Sequence, residues 1–275
     1  MIETAPSARL EAVFASANGK TQMSRCFAAA PLKIAKTFPL DEPGLGPYET
    51  GIGVCVMDCS PGLLAGDFYR FDWHLGENAH VWVSTQGFTR VHPSRENPCR
   101  LEQKICLESG AWLEWFPYPT TLFRDADLRN NCEVEIAGNA TLLMGEILGA
   151  GRIGRGEAFE FHAWRSRVGV RRAGRLIFCS QTGLRPANFA FGRVGAWEDW
   201  THQGQFQVFS THAGQALLNV LRPLLDAKKE VWSGASLLEE GGLSVSFLGR
   251  RACDLQALIE QIREATRRFL RESNG

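Results

Sequence analysis

Three stretches of one pattern decide the fold: YRFDWHLGENAHVWVST (69–85), LEQKICLESGAWLEWF (101–116) and CEVEIAGNATLLMGEIL (132–148). In the first, Tyr69, Phe71, Trp73 and Leu75 alternate with Arg70, Asp72 and His74, the period of a half-buried strand. A turn at Gly76–Asn78 follows, then a second apolar run. The layout returns with Leu101, Ile105 and Leu107 before Ser109–Gly110, and with Cys132, Val134 and Ile136 before Gly138–Asn139. Aligned on Ala79, Ala111 and Ala140, the units step by about 32 and about 29 residues, a spacing typical of repeat architectures. One such unit cannot bury its apolar face, whereas stacked units bury a continuous core between two sheets. The expected fold is therefore dominated by β structure, helically wound in two layers. A weaker fourth unit is expected through VGVRRAGRLIFCSQTGL (168–184), turning at Ala173–Gly174. An ordinary antiparallel sandwich with evenly spaced hairpins is the alternative.

Outward from this core, LDEPGLGPYETGIG (40–53) reads as a loop from its Gly and Pro content. After about Thr211 the character changes. HAGQALLNVLRPLLDAKKEVW (212–232) has helical spacing, with a break expected near Arg222 because Pro223 removes a hydrogen bond. LLEEGGLSVSFLG (237–249) reads as a turn and a strand. Asp254 is placed to cap a last helix whose stripe is Leu255, Leu258, Ile259, Ile262, Phe269 and Leu270. Its opposite face carries Glu260, Arg263, Glu264, Arg267 and Arg271. Such a stripe packs on its own body or docks a partner. The whole chain, 1–275, reads as one unit: a β body to about residue 210, then helices plus a strand to about residue 272.

Composition narrows the function. The 275 residues are 44% hydrophobic and 22% charged, as in globular proteins, and 30 basic residues balance 30 acidic ones. Zero net charge gives no reason to propose nucleic acid or a membrane surface as partner, and it removes one defence against self-association. No apolar run approaches the roughly 20 residues of a membrane span, and the N-terminus lacks a basic start before an apolar stretch. The expected location is cytosolic. The eight cysteines contain no C-x-x-C pair, so free buried thiols are expected rather than a zinc site, Cys55 and Cys59 included.

Gly149, Gly151 and Gly154 match G-x-G-x-x-G. The following RGEAFEFHAW (155–164) alternates like a strand, where a dinucleotide site needs a helix, so that reading is rejected. There is no P-loop, HExxH or GxSxG motif, and the six histidines never fall at i, i+2 or i, i+4. What stands out instead is polar groups inside apolar runs. Asp67 follows SPGLLAG, Thr85 and Gln86 end a strand, Glu114 sits between Trp112, Leu113, Trp115 and Phe116, and Glu146 lies in LLMGEILG. Such a carboxylate is paired, hydrated or protonated, because an isolated buried charge is very costly. Strand alternation points Glu114 outward to solvent, while the flanks of Glu146 suit an internal polar cavity.

PGLLAGD (61–67), STQGFTRVH (84–92), LEWFPYPTTLF (113–123) and GEILGAGRIGRGEAF (145–159) resemble, in that order, the signature segments of the urease accessory proteins called UreD or UreH. The resemblance runs from about Arg9 to the last helix. It implies a non-enzymatic maturation factor with a wound two-layer β fold and two helices. It also implies binding to UreF- and UreG-like partners, docking on apo-urease, and delivery of nickel through an internal water-filled passage. On this reading nickel is in transit and no cofactor is tightly bound. The motif positions correspond to Asp67, Thr85, Gln86, Glu146, Arg152 and Glu157, with Glu114 as a further polar residue and Asp67 and Glu146 as transient nickel contacts. Oxygen ligands would hold a borderline dication weakly enough to release it. Tyr118–Pro119 replaces the Gln–Glu pair usual after LEWLP, and Leu63 replaces a glycine. The competing expectation is a β-helical carbohydrate-active or other hydrolytic enzyme using Asp67, Glu114 or Glu146 as acid and base.

Overall fold

The computed structural model describes residues 5–40 and 51–274. Most of the Gly- and Pro-rich stretch expected to be a loop lies outside the described residues. Strand β1 (Ala8–Ala17) folds back on β2 (Lys20–Ala28) through Asn18–Gly19, whose φ values of 51° and 73° suit a two-residue hairpin turn. β3 (Leu32–Pro39) pairs antiparallel with β4 (Ile52–Asp58).

The chain then winds. β5 (Phe68–Leu75), β6 (His80–Thr85) and β7 (Thr89–Val91) form one turn. β8 (Cys99–Leu107), β9 (Trp112–Trp115) and β10 (Thr120–Leu122) form the next. β11 (Asp127–Ile136) and β12 (Thr141–Gly149) follow, and β13 (Ala163–Arg172) closes the stack. Successive turns pair in parallel: Leu75 lies beside Leu107, and Leu107 beside Ile136. These are the same steps as the three alanines. Each alanine amide closes its turn on a carbonyl three residues back: Ala79 to Gly76 (3.1 Å), Ala111 to Glu108 (3.1 Å) and Ala140 to Ala137 (3.2 Å). The corners stack tightly. A Cβ on Gly110, at φ 68°, would come 2.1 Å from Asn78 Oδ1, so only glycine fits there.

The expected fourth unit is not a turn of the winding. β14 (Arg175–Leu184) returns antiparallel on β13, because Ala173 (φ 49°) and Gly174 (φ 79°) form a tight hairpin that keeps the chain in the same sheet. The remaining elements are β15 (His202–Phe209), α1 (Gln215–Asp226), β16 (Val231–Leu238), β17 (Gly242–Gly249) and α2 (Ala252–Asn274). Sequence periodicity missed β16, on which Trp232 and Leu237 are exposed. The first sheet runs β14-β13-β11-β8-β5-β1-β2, and the second runs β16-β17-β15-β12-β9-β6-β4-β3 with β10 and β7 at its side.

Two cores share the second sheet as a wall. Its inward side chains, among them Val81, Leu113 and Leu142, pack against Trp73, Leu75, Leu107 and Ile136 of the first sheet. Its outward ones, among them Leu143, Ile147 and Phe206, pack under the two helices. The stripe Leu255, Leu258, Ile259, Ile262 and Leu270 is buried in that second core, with Phe269 partly buried beside it. The residues expected to dock a partner are thus occupied within the chain.

Three local expectations are corrected. α1 continues past Pro223 to Asp226, since Pro223 lies exposed in the last turn while Leu221 and Leu225 hold the helix to the core. α2 starts at Ala252, so Asp254 sits inside its first turn, paired with Arg251, rather than at the cap. There its carboxylate still faces the positive end of the helix dipole. The eight cysteines are free thiols, but only Cys99 and Cys132 are buried, and Cys26, Cys59, Cys179 and Cys253 are exposed. Among the described residues no helix is long and apolar enough to cross a membrane.

Candidate functional site: a polar cavity inside the winding

The two layers do not fill the space between them evenly. At one end the inward positions are apolar, as above. Toward the other end the same strands present Tyr69 and Phe71 from β5, Leu101 and Gln103 from β8, and Asn130 and Cys132 from β11. Register sets them in two rows, Tyr69–Leu101–Asn130 and Phe71–Gln103–Cys132. The second sheet contributes Val56, Trp115, Met144 and Glu146 opposite them. Together they line a cavity of about 460 Å³ that opens to solvent on one side. Thr85–Arg90, Tyr118 and Ser60–Leu63 also line it, toward one side, where Phe88 and Tyr118 are exposed with ring centroids 6.0 Å apart.

Thr85, Gln86 and Glu146 thus meet in one place. Glu146 is half-buried on the cavity wall, and desolvation pushes its pKa up to about 7. Burial, reinforced by the charge of Glu146, pushes the Cys132 thiol up to about 12. Burial likewise raises Tyr69 to about 12. Near neutral pH the Glu146 carboxyl is therefore balanced between charged and neutral, in a lining that also holds Asp58 and Arg90, amides, a phenol and a protonated thiol. It is wide enough to hold water. Gln103 and Asn130 were missed by sequence reading. Their signal was present: Gln103 falls in phase with Leu101 and Ile105, and Asn130 in phase with Cys132 and Val134, both interrupting an apolar face.

The other predicted site residues lie elsewhere. Asp67 Oδ2 accepts a hydrogen bond from the Leu64 amide at 2.8 Å, closing a turn. Glu157 accepts from the Arg124 amide at 2.9 Å and pairs with Arg152, whose guanidinium stacks 4.5 Å from the Phe123 ring. The Arg152 hydrogen bond is the main reason the Glu157 carboxyl titrates below its usual range. This pair holds the irregular segment 156–162, which therefore does not form the expected strand, and β13 begins only at Ala163. Gly151, at φ 148°, lies so close to the Glu157 carbonyl that a Cβ would come within 2.4 Å of it. The G-x-G-x-x-G run thus leads into a turn, with no helix behind it to hold a dinucleotide.

Glu114 is placed least as expected. It points outward from the winding, yet it is 0% exposed, because α2 covers it. Arg263 Nη1 donates to Glu114 Oε2 at 2.6 Å, and Arg267 donates to both carboxylate oxygens at 2.8 and 2.6 Å. Trp112 Nε1 donates to Oε1 at 3.1 Å, and His80 Nε2 lies 3.5 Å from it. Burial alone would raise this carboxyl, but hydrogen bonds from His80 and Arg267 outweigh it and hold the group well below the carboxylate range. The charged face of α2 therefore sends Arg263 and Arg267 inward. Asp67, Glu114 and Glu146 sit in three separate surroundings, so no two of these three form the acid pair expected of a hydrolase. Among the described residues no group of three or more His, Cys, Asp or Glu side chains is arranged to hold a metal ion.

Residues 6–274 match the family described as UreD urease accessory protein. A protein of Actinobacillus pleuropneumoniae serotype 3 named urease accessory protein UreD is 30% identical over 253 residues, covering 90% of this chain and 92% of its own length. Its namesake from Acetivibrio thermocellus is 29% identical over 246 residues, with 90% and 92% covered. The one from Haloquadratum walsbyi is 28% identical over 254 residues, with 92% and 82% covered. The wound β body, the two C-terminal helices and these matches along nearly the whole sequence lead to one conclusion: the chain belongs to the UreD family of urease accessory proteins.

Proposed function

We propose that this chain serves urease maturation as a non-catalytic scaffold whose cavity conducts nickel toward apo-urease. In this role it works with UreF- and UreG-like partners. The observation that supports the reading best is the cavity between the two layers, open on one side, with Glu146 in its lining. A carboxyl that titrates near neutrality, set among amide oxygens and water, gives a dication a brief oxygen-rich stop. It offers no closed set of nitrogen or thiolate ligands that would retain the ion. Thr85 and Gln86 line the same cavity, where a hydrated ion would exchange ligands. Asp67, bonded to a backbone amide in a turn, is assigned to structure rather than to passage.

The test is urease activation in cells carrying the partner genes. Glu146→Leu and Gln103→Leu, both chosen to dry the cavity, should lower the nickel content and activity of urease about tenfold while pull-down of the partner complex stays intact. Asp67→Ala should affect yield of folded protein more than nickel per urease. Full activation by Glu146→Leu and Gln103→Leu together would remove the passage from this protein. Loss of urease association by the unaltered chain would remove the scaffold reading itself.

A further inference from the structure

Between Glu160 and Glu198 the chain contains seven arginines and no Asp, Glu or Lys, although it is neutral overall. The register of the first sheet gathers part of this charge on its outer face. Several neighbours there are opposite in sign: Arg70 lies beside Glu102, and Lys104 lies between Asp72 and Glu133. Where Arg9 adjoins Arg70, Asp72 pairs with both. One row carries three arginines side by side. Arg100, Arg129 and Arg165 occupy adjacent positions on β8, β11 and β13. Parallel strands are about 4.8 Å apart, and like charges placed side by side are destabilising. Arg100 is placed over the Phe68 ring at 4.4 Å, and Arg165 donates to Asp127 at 2.8 Å. Arg129 between them is exposed and has no ion pair among the described residues. The next row adds Arg167, exposed and 3.5 Å from Glu133. A hollow of about 510 Å³ opens here, lined by Arg129, Arg165, Arg167 and Arg185, with Trp164 as an apolar wall and Phe189 exposed at its side.

We propose that this hollow docks an acidic segment of a partner protein, whose carboxylates pair with Arg129, Arg165, Arg167 and Arg185. Guanidinium groups suit carboxylates because both are planar and can bond in pairs. The Phe189 ring offers contact for an apolar side chain of the same segment. A nucleic acid fits less well. Asp127 and Glu133 already offset part of the positive charge, whereas a phosphate backbone is held by an excess of uncompensated charge. The inference concerns a different face from the cavity and stands apart from nickel passage.

The experiment uses the full chain and a fluorescein-labelled decapeptide of alternating glutamate and leucine, followed by anisotropy at low salt. Arg129→Glu with Arg167→Glu should weaken binding about tenfold or more, and added salt should weaken it further. Arg25→Glu with Arg95→Glu, exposed arginines elsewhere, makes the same change in net charge and should stay within about twofold of the unaltered chain. Arg129→Gln should weaken binding while keeping or raising the Tm, since it relieves a like-charge row. The proposal is overturned if the unaltered chain ignores the peptide, if both double variants lose it equally, or if single-stranded DNA of similar length binds more tightly. A clear fall in the Tm of Arg129→Gln would likewise overturn it by assigning that arginine to the fold.

Discussion

Glu114 and Glu146 stand on neighbouring strands of one sheet, both between apolar residues, and they are treated in opposite ways. Glu114 lies beside Leu143, and Glu146 is three residues further along β12, so alternation sends the two to opposite faces. On the outer face Glu114 meets Arg263 and Arg267 from α2 and is held ionised. On the inner face Glu146 meets a cavity and has no ion-pair partner among the described residues, and its pKa rises to about 7. The first arrangement ties the C-terminal helix to the β body. The second leaves a carboxyl ready to change charge or take a ligand. The same residue type is a structural anchor where its counter-charge is built in, and a reactive group where it is left out.

The largest expected effect comes from breaking the anchor. Arg267→Met leaves Glu114 short of its bidentate partner in a closed site and should cost about 3–5 kcal/mol, read from urea unfolding. Replacing the cluster as a whole, Glu114→Leu with Arg263→Met and Arg267→Met, should recover most of that loss, because no unpaired charge remains buried. A triple variant as weak as the single one would show that the ion cluster itself, rather than the avoidance of an orphan charge, holds the helix.

The Glu146 side predicts the opposite sign. A carboxyl whose pKa is raised on folding binds more protons in the folded state, so its burial costs nothing well below the unfolded pKa and costs more as pH rises toward 7. Glu146→Gln should therefore stabilise the protein at pH 8 by at most about 3 kcal/mol and leave it unchanged near pH 4. Thermal unfolding across that range checks it, and a pH-independent difference would mean that folding leaves the pKa of the carboxyl unshifted. Glu114→Gln should behave in reverse. The ionised form of Glu114 is favoured on folding, so its contribution is present above the ordinary carboxylate pKa and fades only in acid. The smallest expected effect is on Cys132. With Glu146→Gln its thiol should titrate slightly lower, since one of the three influences raising it is gone while burial and the charge of Glu133 remain. Alkylation by a small neutral reagent as a function of pH would detect the change.

Much of the winding was legible because its cause is local. Period-2 alternation and three equivalent Gly/Asn–Ala corners recur in the sequence, and the structure stacks them in the expected register. Ala173–Gly174 misled because a Gly-containing turn can either carry the chain to the other sheet or fold it back in the same one. Two successive positive φ angles decide for the hairpin, and they are not written in residue types alone. Glu146 was legible as an inward polar residue, whereas Glu157 was not legible as the partner of Arg152 and of the Arg124 amide, because the first contact depends on the irregular turn between the two residues and the second joins segments distant in sequence.

The sequence by itself determined the repeat, the wound β class and the family, since all three rest on patterns read within short windows. Only the tertiary structure decided where each polar side chain ends up. An acid flanked by tryptophans looks solvent-facing until a helix from the far end of the chain covers it with two arginines 149 and 153 residues away. A stripe that looks ready for a partner is already buried beneath the second sheet. Alternation fixes which face a residue takes, but what waits on that face is set by contacts between segments far apart along the chain.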